Sequence, residues 1–91
     1  MTARHTEIAQ GITDYLNRAG YAPSVKDVAT MINRGTSVAF RDLEIMRDLR
    51  LVDWVSGEPR TLHLTELGHR SLRRARSFDG RVLDQLVERH G

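Results

Sequence analysis

Cysteine is absent from the 91 residues of this chain, so a disulfide framework and a thiolate metal site are both excluded. No apolar run approaches the ~18 residues that a membrane-spanning helix needs. The N-terminal stretch MTARHTEIAQ also lacks the apolar segment of a signal peptide. These absences favour a cytoplasmic, nucleoid-associated protein with no membrane partner.

Lysine is nearly absent as well: Lys26 is the only one among 14 basic residues, and the others are arginines. The planar guanidinium of arginine suits two-point contacts with phosphate and with guanine. A GC-rich coding sequence accounts for the same bias equally well. Because the formal net charge is only +2, the positions of the arginines matter more than their number.

Sequence motifs of catalysis are also missing. There is no glycine-rich phosphate loop, no nucleophile elbow and no Ser-His-Asp arrangement. His63, Glu66 and His69 have a spacing that superficially resembles a metal site, but the i, i+4 histidine pair of a helical zinc site is absent. We therefore expect a protein that is not an enzyme, holds no metal or cofactor, and has no small-molecule substrate.

What the chain does contain fits one small, mainly helical domain. The spacing of Ile8, Ile12 and Leu16 predicts a first helix from about Thr6 to Ala19, with Thr6 as its N-cap and Gly20 as its stop. The composition, 40% hydrophobic and 29% charged, is that of an ordinary soluble domain.

The stretch from Gly20 to Val52 predicts two short helices joined by a tight turn. Ser24 and Asp27 form the pattern of a capping box at the start of the first of them, which continues to about Ile32. The sequence Asn33-Arg34-Gly35 then breaks the helix, and Gly35 is expected to take a positive φ. The next helix is expected to start at Thr36 or Ser37.

A helical wheel divides this third helix into two faces. The predicted inner arc is apolar and consists of Ala39, Leu43, Met46 and Leu49, extended by Val38 and Ile45. The predicted outer face is mostly polar and consists of Ser37, Phe40, Arg41, Glu44, Arg47 and Asp48. An exposed aromatic ring such as Phe40 usually indicates a contact surface, although it can also fold back onto a neighbour.

After the third helix, the spacing of apolar residues changes to one typical of β-strands. Residues 51–55 and 60–64 predict a two-stranded hairpin around the turn 56–59, with Trp54 as its packing residue. Thr65 is a candidate cap for another helix, whose inner side is expected to be Leu67, Ser71, Leu72 and Ala75. A last helix over residues 81–89 carries a narrow apolar stripe, which makes it a candidate dimer interface: Val82, Leu83, Leu86 and Val87.

Three helices followed by a β-hairpin is the winged helix-turn-helix arrangement. The segment GYAPSVKDVATMI resembles the N-terminal DNA-binding domain of LexA-type repressors, and the likeness continues through GTSVAFRDLEIMRDLRLV and the wing-like SGEPRTLHLT. The segment LTELGHRSL is similar to the strand-to-helix exit of other winged-helix regulators, such as the PadR and MarR families. The expected fold is thus mainly α with a small β-hairpin: a three-helix core, a two-stranded wing and a C-terminal helical extension.

Two departures from that family limit what the resemblance implies. Arg50 stands where LexA-like domains usually have glycine before the first wing strand. The peptidase domain with its Ser-Lys dyad has no counterpart here, so autolysis is not carried over. We expect residues 1–66 to form the winged helix-turn-helix, and residues 67–91 to form an extension that either joins the same compact domain or serves dimerisation.

The resemblance implies that the helix at about 36–49 enters the major groove of double-stranded DNA. Arg41 is the first candidate for a guanine contact, Glu44 for a cytosine contact and Phe40 for a thymine methyl group. Arg60, at the hairpin tip, is expected to reach a phosphate or the minor groove. The full set of candidate DNA-binding residues is Lys26, Arg34, Thr36, Ser37, Phe40, Arg41, Glu44, Arg47 and Arg60.

The function implied is that of a small prokaryotic or phage transcriptional regulator, repressor-like, with the last helix as the candidate homodimer contact. Two alternatives stay open. The acidic residues Glu44 and Asp48 and the exposed Phe40 are compatible with a winged-helix module that binds a protein instead. An architectural or excision-type protein, which binds DNA with little base readout, is the other alternative.

Overall fold

The computed structural model describes residues 1–76. Within that range the chain is mainly helical, with one small two-stranded antiparallel sheet. Helix α1 spans Ala3–Ala19, α2 spans Val25–Ile32 and α3 spans Thr36–Asp48, and the strands are β1, Val52–Asp53, and β2, His63–Leu64. Helix α4 begins at residue 66 and continues to residue 76. The helix expected over residues 81–89, with the candidate interface of Val82, Leu83, Leu86 and Val87, lies outside the described residues.

Helix α1 begins three residues earlier than the sequence pattern predicted. The N-cap is Thr2, whose hydroxyl accepts a hydrogen bond from the backbone N–H of His5 at 3.1 Å. Thr6 was wrongly expected to be the cap, since its hydroxyl instead donates to the carbonyl of Thr2 inside the first turn. Gly20 ends the helix with φ +81, as expected.

Helix α2 starts with the predicted capping box. The Ser24 hydroxyl accepts from the N–H of Asp27 at 3.1 Å, and the Ser24 N–H donates to the Asp27 carboxylate at 2.9 Å. The turn that follows differs from the prediction, because Asn33 rather than Gly35 takes the left-handed conformation. Asparagine tolerates that conformation better than most residues. Gly35, with φ −70, is then the N-cap of α3, so neither Thr36 nor Ser37 caps that helix.

The hydrophobic core joins helices α1–α4 and the hairpin, which is formed by residues 51–64. Helix α3 contributes Ala39, Leu43 and Met46 to this core. The predicted inner arc was too wide, because Val38, Ile45 and Leu49 are 43%, 41% and 51% exposed. Helix α2 and strand β1 pack against α3, and within residues 1–76 the flank with these three residues stays exposed. Leu16 and Leu67 were also expected inside but are exposed.

The hairpin is shorter than predicted, with only Val52↔Leu64 and Asp53↔His63 paired. Beyond these pairs, side-chain bonds replace the strand ladder: the Thr61 hydroxyl accepts from the N–H of Val55 at 2.9 Å. Leu62 and Leu64 are buried and tie the second strand to the core.

Thr65 connects the hairpin to α4, as the sequence predicted. Its hydroxyl accepts from the N–H of Gly68 at 3.0 Å and donates to the carbonyl of Arg50. Further along α4, Leu72 belongs to the hydrophobic core. Helix α4 therefore packs directly on the corner at which α3 passes into β1.

Candidate nucleic-acid interface

The outer face of α3, formed by Ser37, Arg41, Glu44 and Asp48, is exposed. The intervals of three and four residues place these side chains on one face, over a length of about 16 Å. Ala39, Leu43 and Met46 are buried on the opposite side and hold the helix in place. Helix α3 therefore has the two faces that the sequence predicted: a polar outer face, and an apolar inner face that packs on the core.

Within residues 1–76, no side chain caps the first backbone N–H groups of α3. Gly35 makes no side-chain capping bond, and Thr36 and Ser37 are exposed in the first turn. Free N–H groups at a helix N-terminus carry a partial positive charge, which favours anions. Arg34, in the turn just before this helix, and Lys26 on α2 are also exposed.

The charge on the outer face itself is mixed. Arg41 is its one cation, whereas Glu44 and Asp48 carry negative charge. Within residues 1–76 none of these three side chains enters an ion pair. The face therefore offers one cationic and two acceptor side chains to a ligand, while the N-terminal end offers positive potential.

One flank of α3 is held by the hairpin. The Arg47 guanidinium donates to the Asp53 carboxylate at 2.9 Å and to the Trp54 carbonyl at 2.9 Å, and it lies 4.2 Å from the centre of the Trp54 ring. Phe40 contacts the same ring at a centroid distance of 6.2 Å. Phe40 and Arg47 are thus placed beside the hairpin and apart from the outer face. The hydrogen bond from the Trp54 N–H, helped by the charge of Arg47, lowers the pKa of Asp53.

Arg60 does not extend from the hairpin tip. Its guanidinium lies 4.2 Å from the centre of the Tyr21 ring and donates to the Ala22 carbonyl at 3.0 Å. Tyr15 packs edge-on against Tyr21 at 5.8 Å. The largest single influence on the pKa of Tyr15 is a hydrogen bond with Arg60, which lowers it. Partial burial and the nearby Tyr21 and Asp27 act in the opposite direction, and together they raise the pKa of Tyr15 above its usual value.

The other flank of α3 carries an apolar stripe, formed by Val38, Ile45 and Leu49. Intervals of seven and four residues align the three side chains along the helix. Beside them, the Asp42 carboxylate pairs with the Arg4 guanidinium of α1 at 3.1 Å. Sequence reasoning assigned the stripe to the core, because apolar side chains at the edge of a buried arc have the same pattern whether or not a neighbour covers them.

No protein-family model and no curated protein matches this chain. Among residues 1–76, no helix combines the length and the apolar character that crossing a bilayer requires. Within the same residues, no group of three or more histidine, cysteine or acidic side chains is arranged to hold a metal ion.

His5 is a titratable residue that the sequence pattern did not single out. Its side chain is buried in the first turn of α1, and its Nδ1 finds no hydrogen-bond partner among the described residues. Burial lowers the pKa of His5, whereas the negative charge of Asp42 acts in the opposite direction.

Proposed function

We propose that the chain is a winged helix-turn-helix that binds double-stranded DNA sequence-specifically, as a small repressor-like regulator. Helices α2 and α3 form the helix-turn-helix, and the hairpin is the wing. The observation that supports this proposal most directly is the exposed outer face of α3, carried on a helix whose opposite side is buried in the core. A helix supported in this way fits the major groove.

In this proposal the start of α3 meets the DNA backbone. The uncapped first turn, with Ser37 in it, binds a phosphate, and Arg34 and Lys26 add positive charge at the backbone. Arg41, one turn further along, reads guanine through two hydrogen bonds, and Glu44 accepts from a cytosine amino group. Acidic residues near the DNA select against the wrong bases as well as against non-specific binding.

The wing plays a supporting part. Because Arg47 is bonded to Asp53 and Trp54, it orients the hairpin against α3. Arg60 is bonded to the loop between α1 and α2. The proposed contacts of these two arginines, and of Phe40, with DNA require the present contacts to loosen on binding. Dimerisation through Val82, Leu83, Leu86 and Val87 completes the proposal and would place two copies of α3 on the two halves of a palindromic site.

The proposal is tested by selecting bound fragments from a random DNA library and titrating the preferred site against its scrambled version. Arg41→Ala is expected to cost about 1–3 kcal/mol, or roughly 5- to 150-fold in specific affinity. Arg18→Ala, which removes an exposed arginine at the end of α1, is the matched control and should change binding much less. Log K should also fall with log salt by about 0.9 for each phosphate contact.

Failure to enrich any site, together with an affinity that does not depend on salt, would contradict DNA binding. Equal affinity for the preferred and scrambled sites would favour the architectural alternative instead.

A second candidate function, protein recognition, is favoured by the apolar stripe of Val38, Ile45 and Leu49. Exposed apolar side chains that share one flank of a helix commonly mark a protein contact, and the acidic Glu44 and Asp48 lie on the same helix. Ile45→Gln and Leu49→Gln separate the two functions. They should abolish binding of a protein partner while Arg41→Ala leaves it intact, and the opposite pattern supports DNA binding.

A further inference from the structure

A cleft of about 240 Å³ lies between the start of α2 and the hairpin. Its lining is mostly apolar: Pro23 and Leu62 are buried at its base, and Val25 and Trp54 are half-buried beside them. The exposed residues of its lining are Glu58, Pro59 and Arg60, and two of them are charged. At the start of α2, the capping box already occupies the N–H groups of Ser24 and Asp27.

Arg60 is held in a fixed position at this cleft. The Tyr21 ring lies against its guanidinium, and the Ala22 carbonyl accepts one of its N–H bonds. An arginine has five N–H donors, so donors remain for an anionic ligand. A guanidinium that is already held by its neighbours loses little conformational entropy when it binds a carboxylate.

Glu58 provides the opposite charge at the same edge. Its carboxylate makes no ion pair within residues 1–76. Arg60 and Glu58 are separated by Pro59 alone, which restricts the backbone between them. The edge of the cleft therefore presents a cation and an anion above an apolar base.

We propose that this cleft binds an apolar α-amino acid. Its carboxylate is bound by Arg60, its ammonium group by Glu58, and its side chain lies on Trp54 between Pro23 and Leu62. A few polar groups that fix orientation above an apolar pocket are the usual composition of a small-ligand site. This site is separate from the outer face of α3 and shares only Arg60 with the proposed DNA contacts, so binding of the amino acid is tested without DNA.

Trp54 gives the test a local signal, because it is the only tryptophan in the chain. L-leucine, L-isoleucine and L-phenylalanine are titrated into the full chain while tryptophan fluorescence is recorded. A saturable change is expected below about 10 mM for at least one of them. L-Phenylalaninamide, which lacks the carboxylate, and N-acetyl-L-phenylalanine, which lacks the ammonium group, should bind at least about tenfold more weakly.

The variants Arg60→Gln and Glu58→Gln should each weaken binding of the amino acid by a similar factor, and Arg18→Gln is the matched control. Amide NMR shifts must fall on Val25, Thr61 and Leu62, which line the cleft. The absence of a saturable signal, equal responses to the amino acid and both analogues, or shifts located elsewhere would each overturn the proposal. Because the analogues are tested on the unaltered chain, the result stands even if a variant fails to fold.

Discussion

Arg50 adopts the left-handed backbone conformation, with φ +62, directly after α3. Its N–H donates to the Arg47 carbonyl at 2.9 Å, and the N–H of Leu51 donates to the Met46 carbonyl at 2.8 Å. These two bonds form a Schellman motif, in which glycine usually occupies the left-handed position. The corner between α3 and β1 therefore has the left-handed backbone conformation that glycine usually adopts, although an arginine occupies the position.

Replacing Arg50 with glycine should relieve this conformation. We expect Arg50→Gly to be more stable than Arg50→Ala by about 1 kcal/mol, because alanine keeps the steric cost of the left-handed region. The greater entropy of glycine in the unfolded chain offsets part of the gain. Urea denaturation of the two variants measures the difference. Equal midpoints would mean that the corner relaxes when the arginine is removed.

The buried His5 makes stability depend on pH. Since burial lowers its pKa, the folded chain favours the neutral imidazole, whereas the unfolded chain takes up a proton at about the ordinary value of 6.5. The free energy of unfolding should therefore be highest above that pH. It should fall as the pH drops from 6.5 towards the lowered pKa of the folded state.

Denaturation between about pH 5 and pH 7.5 tests this linkage. His5→Phe, which replaces the imidazole with an apolar ring, should flatten the pH dependence. His69→Gln, which removes an exposed imidazole, is the control and should leave it in place. If His5→Phe keeps the full slope, the effect arises from another group.

At the scale of elements, α2 and α3 begin in different ways. The side chains of Ser24 and Asp27 accept from two backbone N–H groups at the start of α2, whereas α3 begins at Gly35 without a side-chain cap among the described residues. The hydrogen bond from the Ser24 backbone lowers the pKa of Asp27. This contribution to stability is therefore complete above pH 3.8 and is lost as the pH falls through the lowered pKa.

Ser24→Ala is expected to destabilise the chain by about 1 kcal/mol, because it removes the acceptor for the Asp27 N–H. Ser37→Ala is a matched control in the first turn of α3, where no capping bond is lost, and should change stability by less than about 0.5 kcal/mol. Thermal or urea unfolding compares the two. Similar losses in both variants would show that the capping box contributes little.

The hairpin illustrates how an element with few internal bonds is stabilised by its neighbours. Two paired residues on each strand are marginal by themselves. The Arg47 guanidinium on Trp54 joins the hairpin to α3, and Arg60 on Tyr21 joins it to the loop before α2. Cation–π contacts of this kind contribute about 0.5–1 kcal/mol each at exposed sites.

At the scale of the whole molecule, α4 is joined to the rest through a backbone contact. Gly68 faces the backbone of Leu51, and a Cβ at this position would overlap the Leu51 carbonyl. Gly11 in α1 also lies at a helix contact, but a Cβ there would meet the Met31 sulfur at 2.7 Å. A methionine side chain can move aside, whereas the backbone of the α3–β1 corner cannot do so without disturbing β1.

The two glycines therefore form a matched pair. Gly68→Ala should destabilise the chain by more than about 2 kcal/mol, because α4 must shift away from the core that contains Leu72. Gly11→Ala should change stability by less than about 1 kcal/mol, because the helix propensity of alanine offsets the displacement of Met31. Urea unfolding measures both. A Gly68→Ala variant as stable as Gly11→Ala would contradict the close packing of α4.

Local rules of the chain were enough to predict several elements. The capping box at Ser24, the end of α1 at Gly20 and the cap at Thr65 depend on residues within four positions of each other, and all three are confirmed. The mainly helical fold with a small antiparallel hairpin follows from apolar periods of the same short range. Thr6 and Gly35 were misassigned because Thr2 and Asn33 satisfy the same local rules.

Only the tertiary structure decided which flank of α3 is covered and which arginines are occupied. Val38 and Leu49 carry the sequence pattern of core residues, yet nothing in residues 1–76 covers them. The sequence alone gives no partner for Arg47 or Arg60. In the folded chain, Trp54 of the hairpin lies against Arg47, and Tyr21 of the loop before α2 lies against Arg60. The physical reason is that helix periodicity and capping depend on residues close together in sequence. Whether a surface is buried depends instead on which distant segments of the chain pack against it.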